Sequence, residues 1–200
     1  MDIVARAKAL ILQPAQEWQV IAAEPADTRS LILCYAAPLA LVPAVCGLVG
    51  TTMLGSMVGS MMGVRIGFFS LLLHAVASYA LGLAGVWVLG KLIENLAPRF
   101  GGVADEVAAM KLATYSATAS WLAGVFLLIP VLGILSLLGL YSLYLFYTGA
   151  PAVTRVPQDK AGTFTAAVIV CAVVLYMFIG WLAAMLFLRF SPQARAEEVW

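Results

Sequence analysis

His74 is the only histidine of the chain, and it sits in an otherwise charge-free run between Arg65 and Lys91. Ser70 and Ser78 lie four residues to either side, so on a helix the three share one face. An imidazole between hydroxyls is the chemistry of a proton relay or a polar ligand contact. The competing reading is a neutral histidine satisfied by a neighbouring hydroxyl or carbonyl. That reading is preferred, because no second ionisable group falls at the centre of a membrane span. Tyr115, Tyr141 and Tyr144 add hydroxyls in later apolar runs, with Tyr141, Tyr144 and Thr148 on one helix face. Such groups either line a cavity or bridge helices, and bridging is the commoner use. The candidate intrabundle polar face is therefore His74, Ser70, Ser78, Tyr115, Tyr141 and Tyr144. Met53, Met57 and Met61 form a thioether stripe that would suit Cu(I), but gap-filling in apolar packing is the preferred reading. Cys34, Cys46 and Cys171 have no CxxC spacing and read as small buried hydrophobes. No metal or cofactor is expected. The sequence has no HExxH, no GxSxG and no paired aspartates within its apolar runs. With no positioned base or nucleophile, the chain is not expected to be an enzyme.

The elements that carry these residues are set by four charge-poor stretches. They run from Arg29 to Arg65, Arg65 to Lys91, Lys111 to Arg155, and Lys160 to Arg189. A helix needs about 20 apolar residues to cross a hydrocarbon core of ~30 Å. Inside lipid the backbone must satisfy its own hydrogen bonds, so these stretches become helices. Composition agrees: the chain is 64% hydrophobic and 10% charged, with mean hydropathy +1.01, outside the range of soluble domains. A net charge of +1 gives no case for nucleic acid.

The stretch after Lys111 would make roughly 65 Å of helix, about twice the core. Ile129-Pro130-Val131-Leu132-Gly133 lies near its middle, where proline breaks the helix and glycine permits a turn. The expected architecture is all-α, a five-span bundle with spans near 30–50, 66–90, 112–129, 131–147 and 163–188. Residues 1–29 precede the membrane domain of 30–188, and 189–200 form a short polar tail.

Five spans place Arg6, Lys8, Arg29, Lys91, Arg99, Lys111, Arg155 and Lys160 on one side, against Arg65, Arg189 and Arg195 on the other. The positive-inside rule then puts the N-terminus in the cytoplasm and the C-terminus outside. Residues 2–13 are amphipathic, and Pro14 can open a second short helix that Glu24-Pro25 ends. This N-terminal pair is expected either as an interfacial collar with Trp18 at headgroup level or packed on the cytoplasmic end of the bundle. Lys91 and Glu94 are spaced to pair. Gly47, Gly55, Gly59, Gly63 and Gly67 recur at multiples of four with Thr51. On a helix this is a small-residue stripe that permits close approach, and Gly55, Gly59 and Gly63 are the candidate packing face. A glycine-rich loop is the alternative for 51–64.

Several segments together resemble a known family. They are Glu17-Trp18-Gln19-Val20-Ile21-Ala22-Ala23-Glu24-Pro25, Leu96-Ala97-Pro98-Arg99-Phe100-Gly101-Gly102, Lys111-Leu112-Ala113-Thr114-Tyr115-Ser116, Trp121-Leu122-Ala123-Gly124, Ile129 to Gly133, and Leu140-Tyr141-Ser142-Leu143-Tyr144-Leu145 followed by Gly149 and Pro151. In order and spacing the chain resembles the bacterial branch of the Yip family, the Ypt/Rab-interacting five-span membrane proteins. One departure is Thr118-Ala119, where the family often has proline. The resemblance implies a small membrane bundle; eukaryotic members self-associate and bind prenylated Rab GTPases. Bacteria lack that machinery, and this sequence has no long acidic N-terminal region, so Rab binding is not carried over. Two functions are expected to compete. The first is a non-enzymatic inner-membrane protein that organises or scaffolds lipid or a membrane-protein partner, as a homo-oligomer. The second is a transporter of a small molecule, ion or lipid along a polar intrabundle path.

Overall fold

The computed structural model describes residues 2–62 and 67–190. All regular structure among them is helical. Two short helices, α1 (Ile3–Leu12) and α2 (Pro14–Ala23), open the chain. Asp2 caps α1 by accepting from the Val4 and Ala5 amides, and Pro14 stands at the start of α2, where its missing N–H costs nothing. Glu24, extended ahead of Pro25, ends α2 as its sequence requires.

The first long helix is continuous in three parts. Asp27 caps α3 (Thr28–Ser30), a π-helical turn follows over Leu31–Ala36, and α4 covers Ala37–Met62. Within the π turn Tyr35 is fully buried while Leu33 and Cys34 are exposed. The expectation that all three cysteines are buried therefore fails at Cys34; Cys46 and Cys171 are half-buried. The helix of the first span continues past Gly50. Helix α4 runs on through Met62, so 51–62 are its continuation, with Gly55 and Gly59 on it. Gly63 and Arg65 lie outside the described residues, as does the tail from 191.

Helix α5 (Phe68–Leu96) carries His74 and passes into a 3₁₀ turn over Ala97–Phe100, which ends at Gly101 in the left-handed region (φ 81°). Helix α6 (Glu106–Ser116), capped by Asp105, breaks at Ala117 (ψ −8°) before α7 (Thr118–Ala123). The break forms without a proline. Ser116 Oγ donates to the Leu112 carbonyl at 2.6 Å and Thr118 Oγ1 to the Tyr115 carbonyl at 2.7 Å, drawing the last turn of α6 onto its own side chains. Two 3₁₀ segments follow, Gly124–Leu128 and Pro130–Leu140, separated by extended Ile129. The chain reverses at Ile129-Pro130; Gly133, expected to permit the turn, sits within the second 3₁₀ segment. Helix α8 (Tyr141–Thr154) returns antiparallel to α6, and α9 (Gln158–Phe190) closes the bundle against α5 and α8.

Among the described residues, four helical stretches are long and apolar enough to cross a membrane: Thr28–Met53, Phe68–Phe100, Val131–Thr154 and Gln158–Met185. Close approach of the first to the reversing segment relies on three small contacts. A Cβ at Gly124 would stand 2.5 Å from Pro43 Cβ, and one at Gly50 would stand 2.0 Å from the Leu127 carbonyl oxygen, while Gly47 lies against Leu127. Of the glycine series, Gly47 takes part in this packing at ordinary contact distance; Gly50 and Gly124, outside the series, make the close approaches.

One end of the bundle gathers every loop that carries several charges. Lys91 bridges Glu94 at 3.0 Å and Glu106 at 3.1 Å, so the pair expected from sequence extends to the start of α6. The Val103 amide donates to the Thr154 carbonyl at 2.9 Å. Gly101 lies against Pro157 and near Lys160 Nζ.

Candidate functional site

The densest polar constellation lies at this same end, where α1 and α2 fold back onto α6 and α8. The Arg6 guanidinium reaches two carboxylates, bonding Glu17 through Nη1 and Glu24 through Nη2. The Arg6 side chain is 11% exposed and that of Glu17 16%. Burial disfavours the guanidinium charge, but Glu24 and Glu17 outweigh it and hold the Arg6 pKa above its ordinary value. Arg6 also stands over the Tyr115 ring, 5.9 Å from its centroid, a cation–π contact.

Lys111 supplies the second buried cation. It is 6% exposed, and its Nζ donates to the carbonyls of Ile21 (2.7 Å) and Glu24 (2.5 Å). These are carbonyls at the end of α2, which lack helical partners, and a lysine at a helix C-terminus satisfies them. Burial lowers the Lys111 pKa, opposed by Glu24 and Asp105.

Beneath the ion pairs lies an aromatic layer. Trp18 meets Tyr115 edge-on at 6.4 Å, and Tyr35 meets Tyr115 at 4.7 Å. The Tyr35 hydroxyl lies 2.9 Å from Thr118 Oγ1, tying the π turn to the first residue after the α6–α7 break. Trp18 is fully buried, and a Cβ at Gly149 would stand 2.4 Å from its Cε2 atom. Trp18 is thus a packed core residue rather than an exposed anchor, and the N-terminal pair packs on the bundle, as one of its two sequence alternatives has it. Glycine in α8 gives the indole its seat.

The residues proposed from sequence fall into several settings. Tyr115 belongs to the aromatic layer. Tyr141 donates to the Ile11 carbonyl at 3.1 Å, and its ring lies 5.3 Å from that of Tyr144, which is 49% exposed. His74 is half-buried, with Nε2 3.5 Å from Ser78 Oγ, and Ser70 is buried. Arg6, Glu17 and Lys111 were not singled out as a site by sequence reasoning. Their spacing gives no local pattern; Lys111 heading the Lys-Leu-Ala-Thr-Tyr-Ser segment is the nearest signal.

Two cavities accompany this arrangement. One, of about 400 Å³, opens at the charged end between Pro25, Val103, Lys111 and Arg155. Arg155 lines it from the end of α8 with φ 54° and ψ 24°, the one non-glycine residue with positive φ among those described. A left-handed conformation costs a residue with a Cβ about 1–2 kcal/mol. The other, of about 430 Å³, lies among the spans, lined by Ser116, Ser120, Trp121, Ser142, Phe146 and Tyr176. Its wall contains an interhelical cap: the Ser120 amide, freed by the break at Ala117, donates to Ser142 Oγ at 2.9 Å, and Ser120 Oγ donates to the Gly139 carbonyl at 3.0 Å.

A polytopic all-helical bundle with a buried charge lock at one end defines the class as an integral membrane protein. The Yip1 domain matches residues 8–183, and the chain belongs to that family. It is similar to inner membrane protein YohC of Escherichia coli K12, with 28% identity over 170 residues, covering 83% of this chain and 87% of the relative. The YohC protein of Escherichia coli O6:H1 matches to the same extent. No solved structure matches the chain significantly.

Proposed function

We propose that this chain is a non-enzymatic inner-membrane protein that organises lipid or partner proteins, and that it does so as a homo-oligomer. The observation that supports this best is where its buried polar groups go. Tyr35 bonds Thr118, Tyr141 bonds the Ile11 carbonyl, Ser120 bonds Gly139, and Lys111 bonds two carbonyls. Groups used to hold helices together are not available to line a path. Meanwhile the reversing segment presents Val131, Ile134, Leu137, Leu138 and Leu140 outward, each at least 60% exposed.

A five-crossing topology accords with the clustering of loops. Residues 2–29, 91–111 and 154–160 meet at one end, so the chain between 111 and 154 must leave that end and return to it. The outward arm, 112–128, is in several pieces, yet its pieces sum to roughly 27 Å at 1.5 Å per α and 2.0 Å per 3₁₀ residue, close to the ~30 Å hydrocarbon core. The charged end then carries the basic residues that favour the cytoplasm, with the C-terminus on the opposite side. Val4, Leu12 and Val20, 75%, 66% and 53% exposed, give the N-terminal pair an apolar outer surface suited to an interfacial position.

Native mass spectrometry from lipid nanodiscs tests the assembly. A discrete oligomer that weakens when Gly55, Gly59 and Gly63 become leucine supports the reading. A monomer, or an oligomer indifferent to those changes, removes the glycine stripe from it. Topology is checked separately by labelling single cysteines placed at residues 2 and 200 with an impermeant maleimide; labelling from the same side rejects five crossings.

The intramembrane cavity with its serine wall favours a second reading, a transporter whose path runs past Ser116, Ser120 and Ser142. Flux in proteoliposomes that survives Ser120→Ala and Ser142→Ala at the wild-type rate would dispose of that path; His74 lies outside the cavity lining and is tested separately by His74→Ala.

A further inference from the structure

The cavity at the charged end combines features that the organising role does not use. Its two carboxylates are already engaged: Glu24 Oε2 with Arg6, and Asp105 Oδ1 with the Ala108 amide at 2.7 Å. Its cations are not used up. Arg155 makes no ion pair with any described residue. The Lys111 ammonium has three protons, of which the Ile21 and Glu24 carbonyls take two. The first turn of α6 borders the same space and directs the positive end of its dipole there.

Arg155 adds an argument from conformation. It occupies the position after a helix where a left-handed residue is wanted, and glycine or asparagine fills that position most easily. This chain has arginine there, at φ 54°. Nearby, a left-handed turn at Gly101 is made by glycine in the ordinary way. Strain retained at one of two adjacent turns points to the side chain as the reason. Arg155 is also the first residue beyond the apolar stretch Val131–Thr154, and the next begins at Gln158, which in the proposed topology sets Arg155 at the membrane surface.

We propose that this cavity binds a phosphate oxyanion at the membrane surface, with Arg155 as the principal ligand and Lys111 behind it. A planar guanidinium offers paired donors to phosphate oxygens, and the buried ammonium offers a point charge. The phosphate is carried by a lipid headgroup or comes free from solution, and one experiment separates these sources.

The full-length protein in uncharged detergent is titrated with inorganic phosphate and, separately, with soluble short-chain phosphatidylglycerol, while its melting temperature is followed. Ligand that binds the folded state raises it. Stabilisation by both probes indicates that phosphate alone suffices; stabilisation by the lipid only identifies a headgroup site. No response to either overturns the proposal. Arg155→Gly is the decisive variant, because it removes the guanidinium and relieves the backbone together. The expected result is binding weakened roughly ten- to hundredfold, the range for losing a charged hydrogen-bond partner, in a protein at least as heat-stable as wild type. Wild-type binding in Arg155→Gly overturns the site. A lowered melting temperature in Arg155→Gly, repeated in Arg155→Asn, would show the arginine to be a structural support and overturn it equally.

Discussion

The two ends of the bundle solve the same problem with different materials. At the charged end, Asp2, Asp27 and Asp105 cap three helices, Lys111 closes the end of α2, and Arg6 and Lys91 each bridge two carboxylates. At the far end the chain reverses through two 3₁₀ segments with one extended residue between them, and much of its apolar surface is exposed. The charged end fixes the register of the elements by specific bonds. In the proposed topology the far end is set by lipid, which asks only that the backbone be satisfied and the side chains be apolar. Single substitutions should therefore matter greatly at the first end and little at the second.

The largest effect is expected at Gly149. A leucine there must displace Trp18, whose ring carbons lie 2.4–2.7 Å from the site of the new Cβ. Expelling that indole should cost on the order of 3–5 kcal/mol, as for loss of a buried large side chain, and should reduce the yield of folded protein. Reversible unfolding in mixed micelles measures it. Trp18→Ala combined with Gly149→Leu should be less than additive; full additivity would mean that the two residues are not paired as described.

The ion pairs come next. Arg6→Met strands Glu17 at 16% exposure and Glu24 at 39%. Partial exposure screens them, so a cost of about 1–3 kcal/mol is expected rather than the full figure for a sealed pair. Lys111 has its own pH signature. Burial lowers its pKa from the ordinary 10.5, so the unfolded chain keeps the proton to higher pH. Its contribution is thus constant below the folded pKa, and stability rises as pH climbs from there toward 10.5. Relative to Lys111→Met, wild type should gain stability over that window. A difference that stays flat up to pH ~10.5 would place Lys111 in a more hydrated setting than its burial indicates.

The contrast between the ends also explains what could be read from the sequence. Long apolar runs betray helices because lipid permits little else, and Pro130 betrays the reversal because proline cannot continue a helix. Pro14 and Glu24-Pro25 bound α2 for equally local reasons. Lys91 and Glu94 were legible because they share a helix face; Glu106, which joins them, lies beyond any periodic pattern. Arg6, Glu24 and Lys111 meet only after three elements fold together. Trp18 was legible as an amphipathic anchor but not as a core residue, since its seat at Gly149 is remote in the chain. Gly50 and Gly124 carry no sign of which surface approaches them.

Between the ends lies the break at Ala117, which sharpens the comparison at lower cost. Thr118 is the first residue of α7, and proline is tolerated at the first position of a helix. Thr118→Pro should keep the break through the proline itself while losing both hydroxyl contacts, to Tyr35 and to the Tyr115 carbonyl. A loss of about 1 kcal/mol or less per bond is expected, the scale of interhelical hydrogen bonds measured in membranes. Thr118→Val, which keeps the volume and removes the same two bonds, should match it. A far larger loss in the proline variant alone would mean that the segment before Thr118 needs a helical bond from its amide.

The smallest effect is expected at the far end. Ile134 is 72% exposed, against lipid in the proposed topology, and a Cβ at nearby Gly133 would meet nothing within 4 Å. Ile134→Ala removes contacts that acyl chains replace almost fully, so the change in unfolding free energy should stay below about 0.5 kcal/mol, as for substitutions away from packed features. Association between lipid-facing surfaces depends on packing, and the same substitution has a second readout in oligomer stoichiometry. If stability is unmoved and the oligomer persists, the reversing segment faces lipid alone, and self-association must be sought along α4. A destabilisation of 2 kcal/mol or more, the scale for truncating a packed side chain, would instead mean that Ile134 is covered in the assembled state. The weaker end of one chain would then be completed by its neighbour.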